Sequence, residues 1–113
     1  MSGFATLCGR LAGAGVLAGL LLSSGPAGAD AVALGRQVFL EQAEPRCGAC
    51  HTLADAGTTG QVGPVLDELK PDAGRVKAAV QNGIGVMPAF EDLTPEQVEA
   101  VSAYVAAVAG KAR

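Results

Sequence analysis

Between residues 47 and 51 the chain reads CGACH, which places Cys47, Cys50 and the single histidine of the sequence, His51, within one short stretch. Two thiols beside an imidazole can serve a redox disulfide, structural zinc, copper(I) or covalent haem. A thiol–disulfide site sets its C-x-x-C at a helix start within a strand–helix–strand pattern, and no strand pattern precedes Cys47. A closed zinc site needs four ligands, usually Cys and His, and beyond the N-terminal region only Cys47, Cys50 and His51 are on offer. Copper(I) accepts soft sulfur, so a module using Cys47, Cys50, His51 and Met87 stays open as an alternative. Covalent haem accounts for the spacing most directly. The two thiols add to the vinyl groups at one porphyrin edge, and the histidine after the second cysteine falls beneath the iron as proximal ligand.

An iron held by His51 has a sixth position to fill. There is no second histidine, and apart from Met1 the only methionine is Met87. It lies far enough along the chain to approach the opposite face of a haem. A methionine can instead fill a gap in a core. The flanking segment NGIGVMP, residues 82–88, argues for the ligand: its glycines let backbone lie close to a flat cofactor, and Pro88 stiffens the exit.

These residues need elements to position them. The chain opens as an export signal: Arg10, the apolar run from Leu11 to Leu22, then small residues at Ala27 and Ala29 that suit cleavage after Ala29. That run is shorter than the roughly 20 residues a bilayer-spanning helix requires, so no stable membrane insertion is expected after cleavage. Residues 1–29 are thus assigned to a signal peptide and 30–113 to one domain in the periplasm. Cys8 precedes the apolar run and receives no role.

Three helices are expected in the domain. DAVALGRQVFLEQA, residues 30–43, sets Val32, Leu34, Val38 and Phe39 near one face. PDAGRVKAAVQNG, residues 71–83, can be capped by Asp72, stacks Val76 with Val80, and stops at Asn82 and Gly83. LTPEQVEAVSAYVAAVAG, residues 93–110, carries a capping box of Thr94 and Gln97 with Pro95 at the first helical position; Val98, Val101, Tyr104, Val105 and Val108 form its buried stripe and Gly110 ends it. The connections are rich in glycine and proline and lack two-residue alternation, so no sheet is expected. The fold class is all-α, small and loop-rich.

The formal net charge of the 113 residues is −3, and no basic cluster occurs, which excludes nucleic acid as a partner. With no Trp, one Tyr and only two Phe after Phe4 of the signal is set aside, so small a domain has few large core residues, and something else, such as a cofactor, should fill its middle.

Read in order, the chain resembles a small class I c-type cytochrome, of the bacterial, periplasmic, mono-haem kind, over nearly the whole of residues 30–113. The matching residues are Gly35 and Phe39, CGACH, the VGP of residues 62–64, Met87 with Pro88, and Val101 with Tyr104. The resemblance implies a cytochrome c fold wrapped around one haem c, attached through Cys47 and Cys50 and ligated by His51 and Met87. It further implies that the Pro64 carbonyl accepts a hydrogen bond from His51, and that Gly35 lets the first and last helices cross closely. The expected role is non-catalytic: single-electron transfer between a redox protein donor and an acceptor, at a positive potential.

A lysine-rich docking face and a haem-contacting tryptophan, found in mitochondrial relatives, are missing. A narrower likeness, around HTLADAGTTG and NGIGVMPAF, is to cytochromes that accept electrons from periplasmic sulfite-oxidising enzymes; it makes an acceptor subunit of an oxidoreductase complex the alternative role. The expected docking patch is Ala49, Val62, Val86, Pro88 and Ala89. Asp67, Glu68, Glu91, Asp92, Glu96 and Glu99 are expected to form a solvated face.

Overall fold

A computed structural model of the chain describes residues 27–111, together with Gly3, Gly13, Ala14, Gly15 and Gly19. Most of the apolar run 11–22, and Cys8, lie outside the described residues. The first helix, α1, spans Ala27–Gln37 and widens into a π-helical turn over Val38–Gln42. A 3-10 turn at Cys47–Ala49 follows, then strands β1 (Thr52–Leu53) and β2 (Thr58–Thr59), and helices α2 (Leu66–Leu69), α3 (Ala73–Asn82) and α4 (Pro95–Val108). Among the described residues no helix is long and apolar enough to cross a membrane.

Local chemistry explains where the helices begin and end. The Asp72 carboxylate accepts the Arg75 N–H at 2.8 Å and caps α3. At the start of α4 the Thr94 hydroxyl accepts the Gln97 N–H at 3.1 Å, and the Gln97 side chain accepts the Thr94 N–H at 2.8 Å, completing the expected capping box. Beyond α4, Gly110 adopts the left-handed conformation with φ +73°.

The core lies where α1 and its π turn pack along α4, with α3 on another side of α4. Val38, Phe39, Val98, Val101, Tyr104 and Val105 are buried as the helical spacing predicts, whereas Val108 is half-buried. Gly35 is needed at the crossing: a Cβ there would lie 2.1 Å from the Ala100 carbonyl oxygen and 2.5 Å from the Tyr104 Cβ. The Phe39 and Tyr104 rings meet edge to face with centroids 6.0 Å apart. The buried Ser102 hydroxyl donates to the Val98 carbonyl at 2.7 Å, so it leaves no polar atom unsatisfied.

The mostly helical architecture departs from expectation in two short elements, the four-residue helix α2 and a β pair. An antiparallel pair aligns Thr52 with Thr59 and Leu53 with Thr58. With two residues per strand it is too short for alternation to register in the sequence, and it is held as much by side chains as by its ladder. The Thr58 hydroxyl donates to the His51 carbonyl at 2.9 Å and accepts the Leu53 N–H at 3.1 Å, while Thr52 donates to the Gly60 carbonyl at 3.0 Å.

Candidate functional site

The CGACH segment is a tight turn whose end points are fixed from several sides. Both the Cys50 and His51 N–H groups donate to the Cys47 carbonyl, at 3.1 and 2.9 Å. The Gly63 N–H donates to the Cys50 carbonyl at 2.7 Å, which brings the VGP segment under the turn. Next along, His51 Nδ1 lies 2.8 Å from the Pro64 carbonyl oxygen. A carbonyl only accepts, so Nδ1 carries the hydrogen and Nε2 of the neutral ring is left as the ligating nitrogen. Gly63 is required at this contact, because a Cβ there would come within 2.5 Å of the ring carbon Cε1.

Met87 is presented differently. The chain leaves α3 through Gly83, at φ +72°, and reverses at once: the Ile84 and Met87 N–H groups each donate to the other's carbonyl, at 3.0 and 2.9 Å. Gly85, at φ +56°, occupies the first central position of this turn and Val86 has no positive φ, the pattern of a type II′ hairpin. Phe90 then ties the exit to α3 by donating to the Val80 carbonyl at 2.8 Å. Both glycines therefore meet a backbone need, and both also line the same cavity as Met87. Gly83 packs against its own loop, with a Cβ only 2.8 Å from the Met87 carbonyl oxygen, and Gly85 has nothing within 4 Å.

Cys47, Cys50, His51, Pro64 and Met87 all line one cavity of about 740 Å³, walled by Phe39, Leu66, Val80 and other apolar side chains. Sites for drug-sized ligands run to roughly 300–1,000 Å³, so a flat macrocycle is in range. No carboxylate lines it, and its two cations, Arg46 and Arg75, are exposed residues. Cys47 and Cys50 form no disulfide with each other, both are half-buried, and burial pushes the Cys47 thiol up to about 11. Among the described residues no three His, Cys, Asp or Glu side chains gather closely enough to hold a metal ion. Two cysteines, an oriented imidazole and a thioether around a large, mostly apolar space suit an iron porphyrin better than a bare metal ion.

The family model described as "Cytochrome C oxidase, cbb3-type, subunit III" matches residues 30–105. The chain belongs to this family of c-type cytochromes. A crystal structure titled "Crystal structure of the c-type cytochrome SorU from Sinorhizobium meliloti" is similar at 65% sequence identity and TM-score 0.72, covering 74% of this chain and 95% of that one. No curated protein matches the chain.

The surface of the cytochrome carries an apolar rim at the cavity and charged residues of both signs elsewhere. Val62, Ile84 and Val86 line the cavity and yet are 67%, 70% and 85% exposed, so they form its mouth rather than its wall. Ala49, Pro88 and Ala89 of the expected docking patch are exposed as well. Of the acids expected on a solvated face, Glu68, Glu91, Asp92 and Glu96 are exposed, and Glu99 pairs with Lys77 across the surface. Asp67 departs from that expectation. It is half-buried, and its carboxylate accepts the Ala54 N–H at 2.8 Å and the Gly110 N–H at 3.0 Å, because two backbone donors converge on it.

Sequence reasoning also missed Asp55, which accepts the Tyr104 hydroxyl at 2.6 Å and so ties the hairpin loop to α4. Burial, with this bond behind it, pushes the Tyr104 hydroxyl above the ordinary tyrosine range.

Proposed function

We propose that this c-type cytochrome is a periplasmic carrier of single electrons, exported by residues 1–29 and released by cleavage after Ala29. In this reading it holds one haem c, bound covalently through Cys47 and Cys50 and ligated by His51 and Met87. The observation that carries it is the convergence of those four side chains on one apolar cavity, with the His51 ring locked to the Pro64 carbonyl.

Haem iron, when bound, supplies the one-electron couple. The chain does the rest. The Pro64 carbonyl fixes the His51 tautomer and ring orientation and raises the basicity of Nε2. Met87 would supply a sulfur ligand in both oxidation states, so that neither would have to recruit or expel a ligand. The walls built from Phe39, Leu66, Val80, Val101 and Val105 exclude water and disfavour added positive charge. A thioether ligand and an apolar site both favour the reduced state, which sets the potential above zero.

Val62, Ile84 and Val86, exposed at the mouth, give a partner a small apolar contact suited to brief encounters. The same rim supports the second role, a haem-bearing acceptor subunit of a periplasmic oxidoreductase such as a sulfite-oxidising enzyme; co-purification with a catalytic chain distinguishes it. The copper module is disfavoured by a cavity of about 740 Å³, far larger than a bare ion fills, and by the absence, among the described residues, of three clustered His, Cys, Asp or Glu side chains.

Spectroelectrochemical titration of protein purified from the periplasm tests the carrier reading. A single one-electron wave at positive potential, unaffected by added imidazole, is expected. A potential well below zero contradicts His/Met ligation.

A further inference from the structure

Segments 50–54 and 63–67 run alongside each other and are joined by successive rungs. The first is the Gly63 N–H to the Cys50 carbonyl at 2.7 Å, the second His51 Nδ1–H to the Pro64 carbonyl at 2.8 Å. The third is the Ala54 N–H to Asp67 Oδ2 at 2.8 Å. All three join residues with the same separation of 13, so the two segments keep one register. Only the third uses a charged side chain, and charge-assisted bonds are about twice as strong as neutral ones. Only there, too, does the partner reach further: Asp67 Oδ1 accepts the Gly110 N–H at 3.0 Å, just past the end of α4.

We infer that Asp67 is a positioning residue for His51, holding the segment that carries Pro64 in register with the segment that carries the imidazole. This rests on the reading of His51 as an iron ligand. The two-residue strands β1 and β2 provide little ladder of their own, and α2, four residues long, cannot fix Pro64 by its own stability. Asp67 supplies the missing anchor by fastening α2 to the hairpin and to the end of α4. Without it, segment 63–67 shifts against segment 50–54, the Nδ1–H···O bond lengthens, and the imidazole becomes a weaker donor. A weaker donor stabilises oxidised iron less, so the potential rises.

The test compares Asp67→Asn with Thr94→Ala in the haem-loaded protein. Asparagine can accept through one oxygen only, and Thr94→Ala removes the α4 cap without touching the rungs. Asp67→Asn is expected to raise the reduction potential and to speed solvent exchange of the His51 Nδ1–H at least tenfold, read by NMR of the reduced protein. Thr94→Ala, at comparable loss of stability, should leave both at wild-type values. Equal potentials and equal exchange in the two variants overturn the inference.

A second measurement needs no variant: in the wild type, the Ala54 and Gly110 amides and the His51 Nδ1–H should exchange through one common opening, and unrelated rates overturn the inference as well. A His51 that proves not to be an iron ligand removes the functional reading itself; a ligated His51 indifferent to Asp67 removes only this inference.

Discussion

The two sides of the cavity are built on opposite plans. On the His51 side, the ring nitrogen bonds Pro64, the backbone carbonyl takes the Thr58 hydroxyl, and the backbone N–H returns to Cys47. On the Met87 side, one short hairpin with a left-handed glycine, its exit tied to α3 by Phe90, does the positioning, and three of its four residues, Ile84, Gly85 and Val86, are exposed. A ligand held through its ring, carbonyl and amide resists displacement, whereas one held by a single solvent-facing turn opens locally at lower cost. The difference teaches that the methionine side is where ligation should fail first.

Exchanging each ligand for alanine should break that comparison most sharply. His51→Ala is expected to abolish accumulation of haem-loaded protein. Met87→Ala should retain covalently attached haem while opening the sixth position to added imidazole, with a fall in potential. Optical spectra of the two purified variants check this; equal haem loading and closed ligation in both would erase the proposed asymmetry.

A methyl group at Gly63 attacks the rigid side, since its Cβ would sit 2.5 Å from the His51 ring. Gly63→Ala should cost about 1–3 kcal/mol by overpacking, measured by denaturant melts, and should disturb the His51 Nδ1–H resonance. A silent substitution would show that the ring has room to move.

The hairpin tether gives a smaller and pH-dependent effect. The folded protein holds Tyr104 neutral beyond the ordinary tyrosine value, first by burial and then by its bond to Asp55. The stability from the neutral hydroxyl is therefore fully present below about pH 10 and is lost as pH rises from there through the higher folded value. Tyr104→Phe should cost about 2 kcal/mol at neutral pH and flatten that alkaline fall. Melting curves across pH 8–11 decide it.

The smallest effect belongs to the flexible side. Gly85→Ala meets no neighbour but strains a residue at φ +56°, which should cost about 1 kcal/mol. Its signature is easier displacement of Met87 by imidazole with no change at His51.

What could be read from the sequence follows the range of the interactions. CGACH was legible because two thiols and their neighbouring histidine act within five residues. The caps at Asp72 and Thr94 were legible because each bond spans three residues. Met87 emerged by elimination, and the Gly35 crossing through resemblance.

The bonds from Asp67 to Ala54 and Gly110, and from Tyr104 to Asp55, join residues 13, 43 and 49 apart, so no local pattern announces them. The β1–β2 pair and α2 are too short for either periodicity to show. Gly83 and Gly85 were legible as necessary, but no local pattern announced that both take a positive φ in the turn that carries Met87.

The claim on which the rest depends is that both thiols are consumed in thioether bonds to one haem. Mass spectrometry of the denatured protein isolated from the periplasm tests it directly. The predicted mass is that of residues 30–113 plus a single haem, with no thiol left to alkylate at Cys47 or Cys50. A mass equal to the bare polypeptide, with two alkylatable cysteines, would contradict the account.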